Sequence, residues 1–545
     1  MIDAPAPSAY AYPLLIKQLF HMSLSCSPEQ EIVSGTSHRY TYRSFFSRVR
    51  KLANVLEKLG VTPGQTIAVM DWDCHRYLEC FFGVPMFGAV LHTINIRLSP
   101  EQILYTINHA RDDVILVHSD FVELVESISD RFERPIKLIY LRDDDSATPA
   151  TYAGEYEQLI HSAYQDYDFT DFDENTRATT FYTTGTTGQP KGVFYSHRQL
   201  VLHTLGMVAG LSSVDSDARF HRGDVYMPIT PMFHVHAWGF PYAATMLGVK
   251  QVYPGRYEPA TLLRLIENER VTFSHCVPTI LTMLLSAPEA ESTDLNGWKV
   301  IIGGSALPEG LATTALEKGI NVFAAYGMSE TCPFVTIADT TGLGVDTSDA
   351  GISARTKTGK PTVMVDLRVV DDEMNDVPKD GQSVGELVIR TPWLTQAYLN
   401  NPEASDELWR GGYLHTGDIA HWSEDGTVQI TDRLKDVIKS GGEWISSLEL
   451  ESIASTCDGV VEVAAIGLAD EKWGERPALL VSIGNNDIDT GAMSDSIREA
   501  ITASVSSGNL PRWAVPDTIH FVESIPKTSV GKVDKKTIRM QLNSE

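Results

Sequence analysis

One run of hydroxyls and glycines in the middle of the chain has the composition of a phosphate-binding loop. Residues 183–192 read Thr-Thr-Gly-Thr-Thr-Gly-Gln-Pro-Lys-Gly. Glycines let backbone N–H groups turn toward an anion, the hydroxyls add donors, and Lys191 adds charge. The run is not a Walker A loop, which has Gly-Lys-Ser/Thr where this chain has Gly-Gln-Pro-Lys. Apolar residues flank it on both sides, so we expect a polyphosphate cradle between two strands; a flexible polar loop is the alternative.

A second run, residues 325–331, combines an aromatic ring, a glycine, a hydroxyl and a carboxylate. Tyr326 could cover a nucleotide base and Ser329 could donate to a phosphate. Glu330 could hold Mg²⁺, which prefers oxygen ligands. An ordinary turn after a strand is the alternative interpretation of these residues.

Three other stretches carry charge or glycine that could serve the same ligand. Asp418 follows a glycine and could accept hydrogen bonds from both ribose hydroxyls, although turn and N-cap aspartates are common. Residues 431–444 concentrate charge and glycine, with a solvated linker as the alternative. Lys532 lies in a cluster of cations near the C-terminus and by itself would be taken for a tail lysine.

The charge and length of the chain limit its partners and its organisation. A chain of 545 residues exceeds the size of about 250–300 residues at which single cores stop growing, so more than one domain is expected. The net charge of −27 argues against nucleic acid and anionic membranes as partners. A polyphosphate ligand would therefore need a pocket that is locally basic.

The cysteine pattern and the lack of long apolar segments indicate the cellular compartment of the protein. The six cysteines are scattered without a Cys-x-x-Cys pair, which favours neither a zinc site nor a disulfide framework. The first residues lack the basic and apolar regions of a secretory signal. No stretch approaches the roughly 18 apolar residues of a spanning helix. We expect a cytoplasmic protein with no integral membrane segment.

The elements that must position these residues alternate between helix and strand in the first part of the chain. This alternation predicts crossover connections and parallel sheets. From about Val363, short strands separated by turns predict a β-rich subdomain, and a smaller unit of helices and strands follows. The predicted strands include residues 66–70, 113–117, 271–274, 366–370 and 461–466, and the predicted helices include residues 42–59, 80–84 and 447–455.

Taken together, the runs resemble the adenylate-forming superfamily of acyl-CoA synthetases, luciferases and nonribosomal adenylation domains. The resemblance covers nearly the whole chain and is closest to the fatty acyl-CoA synthetase branch. It rests most specifically on residues 233–239 (Phe-His-Val-His-Ala-Trp-Gly), 303–306 (Gly-Gly-Ser-Ala) and 439–447 (Lys-Ser-Gly-Gly-Glu-Trp-Ile-Ser-Ser).

The resemblance implies a fold and a two-step reaction. The implied α/β fold has a large N-terminal domain of parallel-rich sheets with flanking helices, residues 1–434, which includes a β-rich subdomain at about 363–432. A small mobile C-terminal α+β domain, residues 435–545, carries Lys532. The implied enzyme uses ATP and Mg²⁺ to convert a carboxylic acid into an acyl-adenylate, and the thiol of coenzyme A then displaces AMP.

The resemblance also implies a nucleotide site. Its phosphate contacts are Thr183, Thr184, Gly185, Thr186, Thr187, Gly188 and Lys191. Thr183 and Glu330 are the implied Mg²⁺ contacts, and Ser329 stands where the family usually has threonine. Tyr326 and the backbone of Gly304, Ser305 and Ala306 line the adenine. Ala325, in place of a frequent glycine, and Gly327 are further implied nucleotide contacts. Asp418 holds the ribose, with Arg433 beside it.

Family members move their C-terminal domain between the two steps, which implies roles for its residues. Lys532 offsets the charge that develops when the carboxylate attacks the α-phosphate. Lys435 matches the hinge, and Lys439 is expected near the adenylate. The rotation would bring Gly441, Gly442 and Trp444 toward coenzyme A.

The implied acyl pocket lies behind His234, Val235 and Trp238. In the fatty-acid branch an aromatic residue at the position of Trp238 gates the acyl tunnel; a tryptophan that simply packs in the core is the alternative. His236 stands where that branch often has asparagine, a departure at the expected pocket mouth. Ligases for short sulfur-bearing acids such as 3-methylthiopropionate share the same run.

The leading hypothesis is an ATP-dependent ligase of medium- to long-chain fatty acids and coenzyme A. A ligase for a short or substituted acid is the second hypothesis. An adenylation module that loads a separate carrier protein, a luciferase-type oxidase and a non-catalytic binder are others; the presence of both Lys532 and Glu330 argues against the last. By analogy with the fatty-acid branch, a homodimer is expected.

Overall fold

The computed structural model describes residues 6–36, 38–144, 146–183, 189–440, 443–470, 472–484, 489–507, 510–529 and 531–542. These residues form four β-sheets with helices packed against them. Part of the predicted site lies outside the described residues, namely Thr184, Gly185, Thr186, Thr187, Gly188, Gly441 and Gly442.

The first sheet carries the predicted phosphate loop at its edge. Its strands lie in the order Lys137–Leu141, Asp112–His118, Thr66–Met70, Val90–Thr93, Arg177–Thr183 and Lys191–Ser196. Neighbours are parallel except for the last pair, an antiparallel hairpin in which Thr183 faces Lys191. Parallel strands are covered on both faces and therefore read as continuous apolar runs. The expectation of a run between two strands is confirmed.

The second sheet brings two predicted nucleotide segments to one edge. Its strands lie in the order Lys360–Pro361, Phe334–Ile337, Asn321–Gly327, Lys299–Ile302, Phe273–Cys276, Val225–Pro228, Lys250–Tyr253, Glu31–Ser34 and His38–Thr41. Strands Lys299–Ile302 and Asn321–Gly327 are parallel neighbours. Ligands bind at the carboxyl ends of such strands, and Gly303 and Tyr326 lie at those ends.

Two smaller sheets follow. The third contains Asp366–Val370, Gly385–Arg390, Trp409–Arg410, Tyr413–Trp422 and Val428–Arg433, and its neighbours are antiparallel. The fourth contains Ile438–Ser440, Glu443–Ile445, Val460–Asp470, Gly474–Ile483 and Thr518–Val522. The change from parallel to antiparallel pairing agrees with the turn-rich sequence beyond Val363.

Helices cover the faces of these sheets. The longer ones are Phe20–Cys26, Tyr42–Lys58, His75–Met86, Pro100–Ala110, Val122–Ile128, Tyr156–Ser162, His197–Ser212, Phe240–Leu247, Pro259–Glu269, Pro278–Leu285, Glu309–Glu317, Asp349–Thr356, Pro402–Leu408, Ser447–Ser455, Thr490–Ser506 and Lys535–Leu542. Short 3₁₀ turns lie at Ile16–Leu19, Ser119–Phe121, Ser129–Arg131, Pro288–Glu291, Ser329–Thr331 and Arg512–Ala514. Within the described part of the chain, none of the helices has the length and apolar character needed to cross a membrane.

The chain buries separate apolar cores. One large cluster joins the first three sheets and their helices. The fourth sheet packs against Ser447–Ser455 and Thr490–Ser506 around Ile438, Leu450 and Ile497, and it has a core of its own. This independence suits a unit that moves as a body. The boundary at residues 434 and 435 stays a prediction.

Some predicted elements differ from the observed ones at their ends. The strand predicted at residues 271–274 is Phe273–Cys276, and the one predicted at 461–466 extends over Val460–Asp470. The second difference arises because Gly474–Ile483 pairs with the strand along its length, and pairing is not visible in a local pattern.

Candidate active site

Lys532 reaches from the C-terminal unit to the carboxyl end of strand Lys299–Ile302. A methyl group built on Gly304 would lie 3.0 Å from Cε and 3.6 Å from Nζ of Lys532. Gly304 also has φ of +80°, a left-handed conformation that glycine adopts without strain. A side chain at this position would displace the lysine.

The surroundings of Lys532 lower the pKa of its ammonium to about 8. Burial is the main cause, and repulsion from Arg433 acts in the same direction, as does repulsion from Lys435. Asp418 and Glu330 attract the ammonium and oppose the shift. The structure therefore brings together the predicted catalytic lysine and four other residues of the predicted nucleotide site.

Hydrogen bonds dock the loop that carries Lys532 onto the large unit. The hydroxyl of Thr279 donates to the carbonyl oxygen of Gly531 at 2.8 Å. The side-chain amide of Asn95 donates to Oγ of Ser529 at 3.1 Å, and the guanidinium of Arg97 donates to the carbonyl oxygen of that serine at 3.3 Å. The sequence analysis missed Thr279, Asn95 and Arg97, because they belong to no motif and meet this loop only through the tertiary fold.

Asp418 is buried and held by two neighbours. The hydroxyl of Tyr326 donates to Oδ2 of Asp418 at 2.5 Å, and Nε of Arg433 lies 3.1 Å from Oδ1. Asp418 and Arg433 are direct partners on antiparallel strands, which explains their proximity. Burial raises the pKa of Tyr326, so its phenol stays a donor. The carboxylate keeps further lone pairs for a ligand.

Glu330 lies in the 3₁₀ turn Ser329–Thr331, next to the strand that ends at Gly327. The hydroxyl of Tyr398 donates to Oε1 of Glu330 at 2.6 Å. The hydroxyl of Tyr195 donates to the carbonyl oxygen of Ser329 at 2.6 Å. Neither tyrosine was identified from the sequence, since both are remote along the chain and lie in ordinary strand or loop patterns.

Two of the three predicted acyl residues, Val235 and Trp238, lie in a left-handed turn, whereas His234 is extended. Residues 235–238 have φ between +47° and +58°, and Gly239 follows at +77°. Trp238 is 6% exposed, and the centroid of its ring lies 4.9 Å from the centroid of the His275 ring. A methyl group on Gly303 would lie 3.1 Å from that indole. In this conformation Trp238 packs against the carboxyl end of strand Lys299–Ile302.

The two histidines of the run differ in their surroundings. Burial lowers the pKa of His234 to about 3, and repulsion from Lys532 and Arg97 adds to the effect. His236 is fully buried among the rings of Phe81 and Phe181. Its two ring nitrogens have no hydrogen-bond partner among the described residues. His236 is therefore enclosed by aromatic rings, and its place at the mouth of an acyl pocket stays a prediction.

The remaining predicted residues lie at the edges of the site. Ser305 and Ala306 are exposed beyond Gly304, whereas Ala325 and Gly327 are partly buried. Lys435 follows strand Val428–Arg433, and burial lowers its pKa. Lys439 is exposed, and its backbone pairs with that of Trp444 in the antiparallel hairpin of the fourth sheet. The predicted roles of these residues in nucleotide binding and in the hinge stay predictions.

The fold and the site define a class. A cation from a small C-terminal unit lies at the carboxyl edge of a sheet of the large α/β unit, close to two buried carboxylates. Such an arrangement is typical of a two-unit α/β enzyme that acts on a nucleotide.

The chain belongs to the AMP-binding enzyme family. That family matches residues 20–399, and the AMP-binding enzyme C-terminal domain matches residues 449–532. The chain is 40% identical over 520 residues to a long-chain-fatty-acid–CoA ligase of Thermus thermophilus, covering 94% of this chain and 92% of that one. It is 37% identical over 542 residues to a 3-methylmercaptopropionyl-CoA ligase of Ruegeria pomeroyi, with 97% of both covered.

A solved structure has the same fold. An anthranilate CoA ligase in complex with anthranoyl-AMP superposes with a TM-score of 0.86 at 22% identity, covering 98% of this chain and 99% of that chain. The predicted fold class, with its parallel-rich large unit, β-rich region and C-terminal unit, is confirmed.

Proposed function

We propose that the protein ligates a medium- to long-chain fatty acid to coenzyme A through an acyl-adenylate, consuming ATP and releasing AMP and pyrophosphate. The observation that carries the proposal is the contact of Lys532 with Gly304, beside Asp418 and Glu330. The naming of the Thermus relative as a long-chain-fatty-acid–CoA ligase supports the substrate class.

In the proposed first step, Lys532 lowers the electrostatic barrier. An anionic carboxylate must approach an anionic α-phosphate, so the transition state gathers negative charge. A preorganised ammonium stabilises that charge without reorganisation of water. Asp418 would bind the ribose hydroxyls, with Tyr326 and Arg433 fixing its carboxylate.

The donor set at Glu330 fits Mg²⁺. The Tyr398 hydroxyl occupies one oxygen of Glu330, the other oxygen can serve a cation, and Thr183 adds a hydroxyl at the start of the phosphate loop. Mg²⁺ is commonly bound through one or two carboxylates plus phosphate oxygens. When bound, Mg²⁺ would neutralise phosphate charge and orient the polyphosphate.

For the second step, we propose that the C-terminal unit turns about Lys435 and withdraws Lys532. Residues Gly441, Gly442 and Trp444 would then approach coenzyme A, with Lys439 near the adenylate. The separate core of this unit and its docking by a few hydrogen bonds support such a motion. A cytoplasmic homodimer is the proposed state of the enzyme.

A short sulfur-bearing acid is the second candidate substrate. Trp238 packs against Gly303 and His275 in this conformation, which favours a small acyl group over a long chain. The naming of the Ruegeria relative as a 3-methylmercaptopropionyl-CoA ligase agrees with this candidate.

A substrate panel tests the proposal. Coenzyme A and MgATP are held fixed while the acid is varied from propionate through 3-methylthiopropionate and decanoate to palmitate. We expect AMP and pyrophosphate release that requires both acid and coenzyme A, with the highest kcat/KM for a medium or long chain. Preference for 3-methylthiopropionate would favour the second candidate, and no release with any acid would overturn both.

A further inference from the structure

We propose that Tyr398 is a positioning residue that orients the Glu330 carboxylate toward the divalent cation of bound ATP and keeps Lys191 of the phosphate loop apart from that carboxylate. The inference rests on the proposed function, because it takes Glu330 as the contact of the cation. It adds a residue that lies outside every motif identified in the sequence.

The backbone around Tyr398 is held between the phosphate hairpin and Glu330. On one side, the N–H of Leu399 donates to the carbonyl oxygen of Gly192 at 2.8 Å, and Tyr398 forms an isolated antiparallel β-bridge with Val193. On the other side, the N–H of Thr395 donates to the carbonyl oxygen of Glu330 at 3.1 Å. This segment is therefore fixed to both parts of the site that must meet the polyphosphate.

The hydroxyl of Tyr398 fixes one oxygen of the carboxylate. It donates to Oε1 of Glu330 at 2.6 Å, with Tyr398 8% and Glu330 7% exposed. In this bond the phenol is the donor, because an ionised carboxylate oxygen can only accept. Oε2 is left for a cation, in an orientation set before the cation arrives.

The ring of Tyr398 acts on the neighbouring cation. Nζ of Lys191 lies 4.8 Å from the ring centroid, within the distance of a cation–π interaction. Among the described residues, Lys191 lies over the ring of Tyr398 and Glu330 accepts the hydroxyl of that residue, and no ion pair joins Lys191 to Glu330. A direct pair would neutralise both groups, and MgATP would have to break it on binding. The ring keeps the two charges available, one for phosphate and one for metal.

Tyr398 also lines a surface cleft of about 790 Å³ together with Gln396, Asn401 and Trp409. A phenylalanine at this position keeps the wall and the ring contact with Lys191 and removes only the hydroxyl. A leucine removes the hydroxyl and the ring together.

The test compares ATP binding with and without metal in the full-length protein. Titration calorimetry measures the Kd for ATP in EDTA and in Mg²⁺ for the wild type, Tyr398→Phe and Tyr398→Leu. The matched control is Tyr156→Phe, because the Tyr156 hydroxyl also donates to a buried carboxylate, Glu79, at 2.6 Å, away from the site. Thermal unfolding of each variant is recorded in parallel.

In Tyr398→Phe, we expect the ratio of the Kd for ATP in EDTA to the Kd in Mg²⁺ to fall about 10-fold, because a hydrogen bond to a charged group is removed. The Kd in EDTA itself should change little. Tyr398→Leu should also weaken ATP binding in EDTA, because Lys191 is then free to pair with Glu330. In a Glu330→Gln background, Tyr398→Phe should have no further effect on the metal dependence. The Tyr156→Phe control should bind as the wild type does.

Three results would overturn the inference. One is an unchanged Mg²⁺ dependence in Tyr398→Phe. Another is an equal loss of affinity in EDTA and in Mg²⁺. The third is a Phe variant that unfolds at the assay temperature while Tyr156→Phe does not, which would make Tyr398 a structural residue. A wild type that binds MgATP but ligates no acid would instead refute the proposed function and leave this measurement valid.

Discussion

At the residue scale, the charge of Lys532 decides the proposed first step. Replacement Lys532→Ala should slow adenylate formation by about 10²–10³-fold, because removal of a preorganised group that faces developing charge has effects of this size. Attack of coenzyme A on supplied acyl-adenylate should change little. Rapid-quench measurement of the two half-reactions separates them, and an equal loss in both would contradict the assigned role.

The lowered pKa of Lys532 gives the first step a pH dependence. The active form is the ammonium, and with a pKa of about 8 it loses its proton as the pH rises through that value. We predict that kcat/KM for ATP in adenylate formation is level below about pH 7 and falls as the pH rises above about 8. Bound polyphosphate stabilises the ammonium, so kcat should fall at a higher pH than kcat/KM. A pH–rate profile checks this, and a level kcat/KM up to about pH 10 would contradict it.

Some residues of the site were predictable because type and spacing carry their chemistry. Lys532, Glu330 and Asp418 stand in recognisable runs, and the fold brings them together as the resemblance implied. Tyr398 and Thr279 were not predictable. A tyrosine or threonine in an unremarkable stretch acquires a role only when folding places its hydroxyl against a distant partner.

At the element scale, strands Thr66–Met70 and Asp366–Val370 begin and end at the predicted residues, and the first is buried along its whole length. The left-handed turn at residues 235–238 was not predictable. None of these residues favours φ above zero, and left-handed geometry costs about 1–2 kcal/mol per residue. The tertiary packing around Trp238 and His236 holds a conformation that local propensity opposes.

Gly239 ends that turn, and its replacement tests how tightly the turn is packed. A Cβ there would lie 2.7 Å from Cε1 of buried His203, at φ of +77°. Gly239→Ala should therefore lower the free energy of unfolding by about 2–4 kcal/mol, as strain and overpacking add. Gly255→Ala is the control, because Gly255 has the same φ of +77° and open space around it. Denaturant unfolding measures the free energy of unfolding of both variants. Equal decreases would contradict the prediction, because they would show that a methyl group fits beside His203.

At the scale of the whole molecule, the acidic chain must create a basic site locally. The net charge is −27, yet Lys532, Arg433 and Lys435 converge beside the nucleotide segments. The composition of the chain predicts that a polyphosphate ligand needs a locally basic pocket. It does not predict that the cations of this pocket come from two separate units. The placement of the C-terminal unit depends on surface contacts that no local pattern in the sequence reveals.

One contact between the two units gives a prediction of its own. A Cβ on Gly310 would overlap the carbonyl oxygen of Ser455, so Gly310→Ala cannot keep the present arrangement. We predict that adenylate formation falls about tenfold, because overpacking costs about 1–3 kcal/mol, while the coenzyme A step is preserved. Gly210→Ala, whose Cβ would meet Thr362 at an ordinary 3.4 Å, should leave both steps unchanged. Equal rates of adenylation in Gly310→Ala and the wild type would contradict the prediction.

The most direct test of the account is a single-turnover experiment in two stages. The enzyme is mixed with decanoate and with MgATP labelled in the α-phosphate. A first aliquot is quenched, and coenzyme A is then added to the remaining reaction. The account predicts enzyme-bound decanoyl-adenylate and free pyrophosphate in the first stage, and labelled AMP with decanoyl-CoA in the second. Formation of ADP and phosphate, or AMP release that does not require an acid, would contradict it.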